Sequence, residues 1–268
     1  MRKIVLVILT FIVCTNVIAQ DRFFAHTYTT NVLPKGSIDL EFWHTSRMGH
    51  LNQYFHAQDQ RMEIELGLGG NLQTAFYFNR YQQRYSEGAN GTVVTNETGF
   101  SNEWKWQVRK PVGKKTGYAL YGEWGLKGGD ELELEFKFIA DKTIGKNLFA
   151  FNGIVEYERE FSWEEGKSVS NEWETPIEFD LAYMYNVNIN WGIGFELLNH
   201  NEIAKGKGWE HSVLFGGPTI NYRGKRFFII GNFLPQWVNL RKTEDAPFNK
   251  VLDEHERVEA RVLIGVSL

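Results

Sequence analysis

Glu131-Leu132-Glu133-Leu134-Glu135-Phe136-Lys137-Phe138 sets charge and oil on strictly alternate residues. Successive side chains of a β-strand leave opposite faces, so Glu131, Glu133, Glu135 and Lys137 point one way and the four apolar residues point the other. One such strand fits half of an ordinary soluble sheet. The same two-residue period recurs about twelve times along the chain, which requires a wall with water on one side and an apolar medium on the other.

The neighbouring runs carry the same code. Ile38, Leu40 and Phe42 alternate with Asp39, Glu41 and Trp43, and Met62, Ile64 and Leu66 alternate with Arg61, Glu63 and Glu65. Trp104, Trp106 and Val108 stand against Glu103, Lys105, Gln107 and Arg109, while Ile177, Phe179 and Leu181 stand against Glu178 and Asp180. The chain ends on Val258, Ala260, Val262, Ile264, Val266 and Leu268, with Arg257, Glu259 and Arg261 on the other parity.

About twelve strands follow from this count, and an even number leaves both ends of the barrel on one side. The connections sort with it. Short turns at 69–71, 110–117, 141–147, 186–190 and 223–225 alternate with longer loops at 49–60, 86–96, 161–172, 199–208 and 239–253, and only 127–130 is short among the latter. Gly69-Gly70-Asn71 has the residues that tolerate a positive φ in a tight turn. The expected fold is all-β: an antiparallel up-and-down transmembrane β-barrel over residues 37–268, with short periplasmic turns and longer extracellular loops. The competing reading, a secreted sandwich or lectin-like domain, has no reason to alternate its connection lengths. Aromatic residues near strand ends, with Trp43, Tyr85, Trp124, Trp173, Trp209 and Trp237 at one rim and Tyr118, Tyr183, Tyr185, Trp191 and Tyr222 at the other, read as interfacial girdles.

The first residues supply an address. Met1-Arg2-Lys3, the apolar run Ile4 to Val13 and the small-residue end at Ala19 have the parts of a secretory signal peptide spanning 1–19, with cleavage after Ala19. A lipoprotein cut at Cys14 is the weaker reading, because Val13 is branched where a small residue is wanted. Residues 20–36 then form a periplasmic lead-in or a short extra strand. Loss of Arg2 and Lys3 takes the 29 basic side chains to 27 against 33 acidic ones, and loss of Cys14 removes the only thiol. No disulfide framework is possible, and no basic surplus points to nucleic acid. No later run is long and apolar enough for a spanning helix, so a membrane form must be a closed barrel.

The stretch Thr27 to Phe42, the run Asn102-Glu103-Trp104-Lys105-Trp106 and the carboxyl end resemble Gram-negative outer-membrane barrels of an uncharacterised class. They are more distantly similar to transporter barrels associated with phenol-degradation pathways. The resemblance implies an outer-membrane location, contact with outer-membrane lipid, insertion by the barrel-assembly machinery that reads a terminal amphipathic strand, and passage of an unnamed small solute. It implies no catalytic residues. Leu268 departs from it, since an aromatic residue is more usual at that end.

The face assigned to the lumen carries Asp39, Glu41, Arg61, Glu63, Glu65, Glu103, Lys105, Arg109, Glu131, Glu133, Glu135, Lys137, Glu178, Asp180, Arg257, Glu259 and Arg261, together with Glu123, Glu156, Glu158, Glu160 and Glu196. Such groups can fill a narrow barrel as salt-bridged ladders. The acidic surplus also fits a porin-like passive channel that favours cations or neutral polar solutes.

Two other functions stay open at this stage. His44 and Ser46 lie on the lipid-facing parity of strand one, and Glu256 on the last strand would orient the histidine, the arrangement of a lipid-facing acyl hydrolase. The polar loops would also serve a plugged barrel acting as a surface interaction platform. His50, His56, His200 and His211 are scattered in sequence, so the expectation is no metal and no cofactor.

Overall fold

The computed structural model describes residues 22–268 apart from 87–90, 114, 162, 165–166, 169–171, 242–249 and 253–254. The expected signal peptide and parts of the 86–96, 161–172 and 239–253 loops therefore lie outside the described residues.

Twelve strands close into one antiparallel barrel. They are β1 (Ile38–Met48), β2 (Phe55–Gly69), β3 (Leu72–Ser86), β4 (Thr92–Arg109), β5 (Gly117–Lys127), β6 (Glu131–Ile144), β7 (Asn147–Glu160), β10 (Trp173–Asn186), β11 (Trp191–Ala204), β12 (Gly208–Arg223), β13 (Phe227–Asn239) and β14 (Val258–Ser267). Each pairs with its neighbour in the chain, and β1 pairs with β14 to shut the cylinder, Phe42 lying opposite Ile264. Two short strands, β8 (Trp163–Glu164) and β9 (Lys167–Ser168), pair with each other in the connection between β7 and β10.

The two parities separate as the alternation requires. Leu134, Phe136 and Phe138 of β6 are 44%, 53% and 40% exposed, whereas Lys137 between them is 8% exposed. A sandwich would bury the first three against a second sheet, and here they are bare. Trp43 departs from the girdle expectation: at 5% exposure it lies inside the barrel with Asp39 and Glu41, on their parity.

At one end the connections are tight. Gly70 and Asn71 both have φ of 63°, and the link from β6 to β7 is Gly145-Lys146. At the other end the strands run further than their alternation indicates. Asn199–Ala204 belongs to β11 and pairs with β12, so the expected 199–208 loop is reduced to residues 205–207. The 49–60 loop likewise shortens to 49–54, because β2 begins at Phe55. Polar residues fall on both parities of these extensions, so the ladder continues without any hydrophobic period to announce it.

Candidate functional site

The largest difference from the sequence reading lies at residues 22–36. Residues 22–33 of this segment are not a lead-in outside the barrel but a plug within its turn-end half, and Pro34, Lys35 and Gly36 are exposed. Phe24, Ala25, Thr27, Tyr28, Thr30 and Leu33 are each at most 4% exposed. Phe24 packs against Leu148, Ala150, Ala182 and Met184, and Tyr28 joins Trp43, Tyr121, Ile139 and Leu263. Residues 22–33 have no alternation because they belong to no strand, and their aromatic residues find an apolar environment on the inward faces of the wall.

Its backbone is satisfied by side chains instead of a ladder. Glu196 accepts from the backbone N–H groups of Ala25, His26 and Thr27 at 3.2, 2.8 and 3.0 Å. Asn152 accepts from Tyr28 N–H at 2.7 Å and donates to the Tyr28 carbonyl at 3.0 Å. Gln73 accepts from Leu33 N–H, Gln107 and Asn221 donate to the carbonyls of Thr30 and Phe23, and Arg261 donates to that of Ala25. The Thr30 hydroxyl donates to Asp141 at 2.6 Å, so seven of the twelve strands hold the plug. Arg22 lies over the rings of Tyr28 and Trp43, 3.5 and 4.3 Å from their centres. Burial pushes the Tyr28 phenol up to about 12 against the pull of Arg22, so the ring stays neutral.

Above this floor lies a cavity of about 380 Å³, bounded below by His26 and Tyr28 and walled by charged side chains of the loop-end half. Ten carboxylates line it, from Asp59, Glu123, Glu133, Glu135, Glu156, Glu158, Glu178, Asp180, Glu256 and Glu259, against the four cations Arg47, Arg61, Lys137 and Arg261. The acid is concentrated on one wall, because the register sets Glu133 opposite Glu158 and Glu135 opposite both Glu156 and Glu123. Opposing charge is supplied across it. Lys137 lies 3.0 Å from Glu135, Arg61 lies 3.8 Å from Glu123, and Lys127 lies 3.0 Å from Glu131 and 3.8 Å from Glu133. Arg47 pairs with Asp59, and His26 of the plug with Glu259.

The other charged residues singled out from sequence fall into two groups. Asp39, Glu41, Glu63, Glu65, Glu103 and Lys105 are buried at the level of the plug rather than on the cavity wall, with Tyr77 donating to Glu103 and Gln73 to Glu65. Arg109 and Arg257 are not in the lumen: both are exposed, Arg109 lying over Tyr118 at the turn end and Arg257 beginning the approach to β14. The register shift between Gln107 and Arg109 moves Arg109 out of the inward row.

The hydrolase arrangement does not assemble. Glu256 lines the cavity, inside the wall, and so cannot orient His44 on the outer face. Ser46 bonds His56 of β2 at 2.8 Å. Glu256 precedes β14, so the alternation of that strand does not fix its direction.

The histidines also regroup. His200 and Glu202 of β11, His211 of β12 and His255 offer donor atoms that all lie within 4.8 Å of one another, so these are the residues able to hold a metal. His255 went unread in the sequence because it sits far from the others along the chain. The expectation of scattered histidines without metal spacing is corrected by topology: β11 and β12 pair with Glu202 opposite His211, and the His255 ring lies against those of His200 and His211. Burial and the neighbouring His200 and His211 rings hold His255 well below the usual imidazole range.

Solved structures share the architecture at low identity. An outer membrane channel from Pseudomonas putida F1 superposes with a TM-score of 0.61 at 9% identity, over 89% of this chain and 98% of that one. The β domain of the Bordetella autotransporter BrkA gives 0.58 at 9% identity, over 87% and 100%, and the translocator domain of the autotransporter NalP from Neisseria meningitidis gives 0.57 at 10%, over 86% and 87%. No curated protein matches the chain. Residues 16–268 match the profile described as a family of unknown function (DUF6662), and the chain belongs to that family.

Proposed function

We propose that this protein is a Gram-negative outer-membrane channel for small polar solutes, cationic or neutral, whose passage is governed by its own N-terminal segment. The outward faces support the membrane setting, because Phe42, Met62, Phe78, Phe136, Leu181 and Ile264 are all at least 40% exposed. Such a belt is stable only where the surround is hydrocarbon. The strands, 10 to 18 residues long, are sufficient to cross it, since roughly 9–11 tilted residues span a bilayer core.

The observation that carries the reading is the charged cavity floored by a segment held through side-chain hydrogen bonds and separate from the wall ladder. The surplus of carboxyl groups over fixed cations along this lining supports a preference for cationic or neutral polar solutes over anions. The lining also speaks against the apolar aromatic solutes that a likeness to phenol-pathway barrels would imply, since nothing but water or polar groups satisfies it.

Planar-bilayer recording under a salt gradient tests this with the full chain and a form lacking residues 22–34. The expected result is a small conductance from the first, a severalfold larger one from the second, and a cation-selective reversal potential in both. An anion-selective potential, or no current from either form, would overturn the channel. In the second case the sealed barrel and its loop-end cavity would stand as a surface platform.

A further inference from the structure

We propose that His200, Glu202, His211 and His255 bind one divalent transition-metal ion of the zinc class, and that the ion clasps His255, from the connection between β13 and β14, onto the β11–β12 wall at the mouth of the cavity.

The geometry is already convergent. All four donor atoms lie within 4.8 Å of one another, the His255 and His211 Nε2 atoms are 2.5 Å apart, and Glu202 Oε2 is 3.3 Å from His211 Nε2. A tetrahedral zinc with bonds of about 2.0–2.1 Å places its donors roughly 3.4 Å apart, so small side-chain rotations suffice to seat the ion.

Each donor is delivered by a separate structural cause. His200 and Glu202 are two residues apart on one strand and share its inward face. Glu202 stands opposite His211, and a register shift follows immediately at Ile203, the kind of irregularity that re-aims side chains. His255 comes from the connection between β13 and β14. Gln236 fixes that connection by accepting from Val251 N–H at 2.9 Å and donating to the carbonyls of Val251 and Glu256 at 2.8 and 3.0 Å. Arg257 N–H donates to the Gly49 carbonyl at 2.7 Å, which holds the other side of His255.

The donor set selects the class of ion. Three imidazoles and one carboxylate suit zinc and its borderline neighbours, whereas calcium and magnesium prefer all-oxygen shells. Glu178 lies 3.5 Å from His200 Nδ1, a carboxylate beside a ligating imidazole as metal centres commonly have. Four protein donors complete a tetrahedron and leave no open position, which marks a holding site and not a hydrolytic one. The clasp stands or falls independently of whether the lumen conducts.

The test uses the purified full chain in detergent and zinc alone as the probe, with affinity read by competition against a chromophoric chelator. One ion per chain is expected, and Co²⁺ should give the visible absorption of a four-coordinate site. His255→Gln lies outside the strands and should weaken zinc at least tenfold, as should Glu202→Gln, while His56→Gln on the outer face should not. Heat-modifiable gel mobility reports that each barrel is folded. No zinc bound by the wild type, or equal affinity in His255→Gln and Glu202→Gln, overturns the site.

Discussion

Glu196 accepts the backbone N–H of His26 through Oε2 at 2.8 Å, and the same oxygen takes Thr27 while Oε1 takes Ala25 and the amide of Asn232. One carboxylate therefore caps three consecutive N–H groups of a segment that has no ladder to join. Its two oxygens offer about four lone-pair sites, which is why an acidic residue stands here and a neutral amide would not serve.

Glu196→Gln should accordingly loosen the plug. The substituted amide keeps one acceptor oxygen and turns a donor NH₂ toward groups that are themselves donors, leaving buried N–H unmet at a cost of about 1–3 kcal/mol. Amide exchange at residues 25–27 is expected to accelerate by about tenfold or more, with the strand ladders unaffected. Unchanged exchange there would mean that packing alone seats the segment.

Gly67 controls where the plug leaves the lumen. A Cβ built on it would stand 2.0 Å from the Pro34 carbonyl oxygen and 2.8 Å from that of Leu33, and its backbone is bonded to Gly36 N–H and the Ser37 carbonyl. Both near atoms are main chain, so no side-chain rotation relieves the clash. Gly67→Ala is predicted to displace residues 33–36 and raise conductance, whereas Gly70→Ala, where nothing lies within 4 Å, should leave conductance unchanged although its φ of 63° makes the turn less stable. Single-channel recording of the two variants separates a steric effect on the plug from a general loss of stability.

Gln236 is the corresponding fastening at the mouth. Its side chain makes three hydrogen bonds to the backbone of Val251 and Glu256 and is 1% exposed. Replacing it with leucine keeps the volume and removes all three, leaving buried backbone groups unpaired at about 1–3 kcal/mol. Faster exchange across residues 250–252 and 255–257, with an unchanged barrel by gel mobility, is the expected outcome. Exchange equal to wild type would show that Val251 and Leu252, each 5% exposed, hold the segment by packing.

The wall was legible because it obeys a two-residue period set by two solvents. Leu132 to Phe138 reveal parity, Gly69-Gly70-Asn71 reveals a turn, and repetition then gives twelve strands. The period falls silent wherever one environment surrounds the chain. It missed Asn199 to Ala204, where polar residues fall on both parities, and it missed residues 22–33, which run inside the barrel without joining its ladder. Phe23, Phe24 and Tyr28 left one signal, since three aromatic residues close together without a strand must be buried somewhere. Asn152 left none: a neutral amide inside a barrel reads as filler until the backbone it clamps is known. The histidine group was equally hidden, because pairing between β11 and β12 and the return of residue 255 are relations in space that sequence distance does not carry.

The outer face offers the sharpest test of the setting on which the rest depends. Phe136 is 53% exposed in the middle of β6, beside the inward Lys137 and Glu135. In an aqueous protein an exposed Phe→Lys change away from special features usually stays within about 0.5 kcal/mol. Facing hydrocarbon, the same change must bring an ammonium to the bilayer or make it snorkel, at about 2–4 kcal/mol near the midplane and less toward the interfaces. Reversible refolding of wild type and Phe136→Lys into lipid vesicles should therefore show a loss of that order. Met48→Lys, nearer the loop end of β1, should lose distinctly less, because the cost falls with distance from the midplane. Equal and negligible losses at both positions would mean that the apolar belt does not meet lipid, and the proposed channel would lose its membrane.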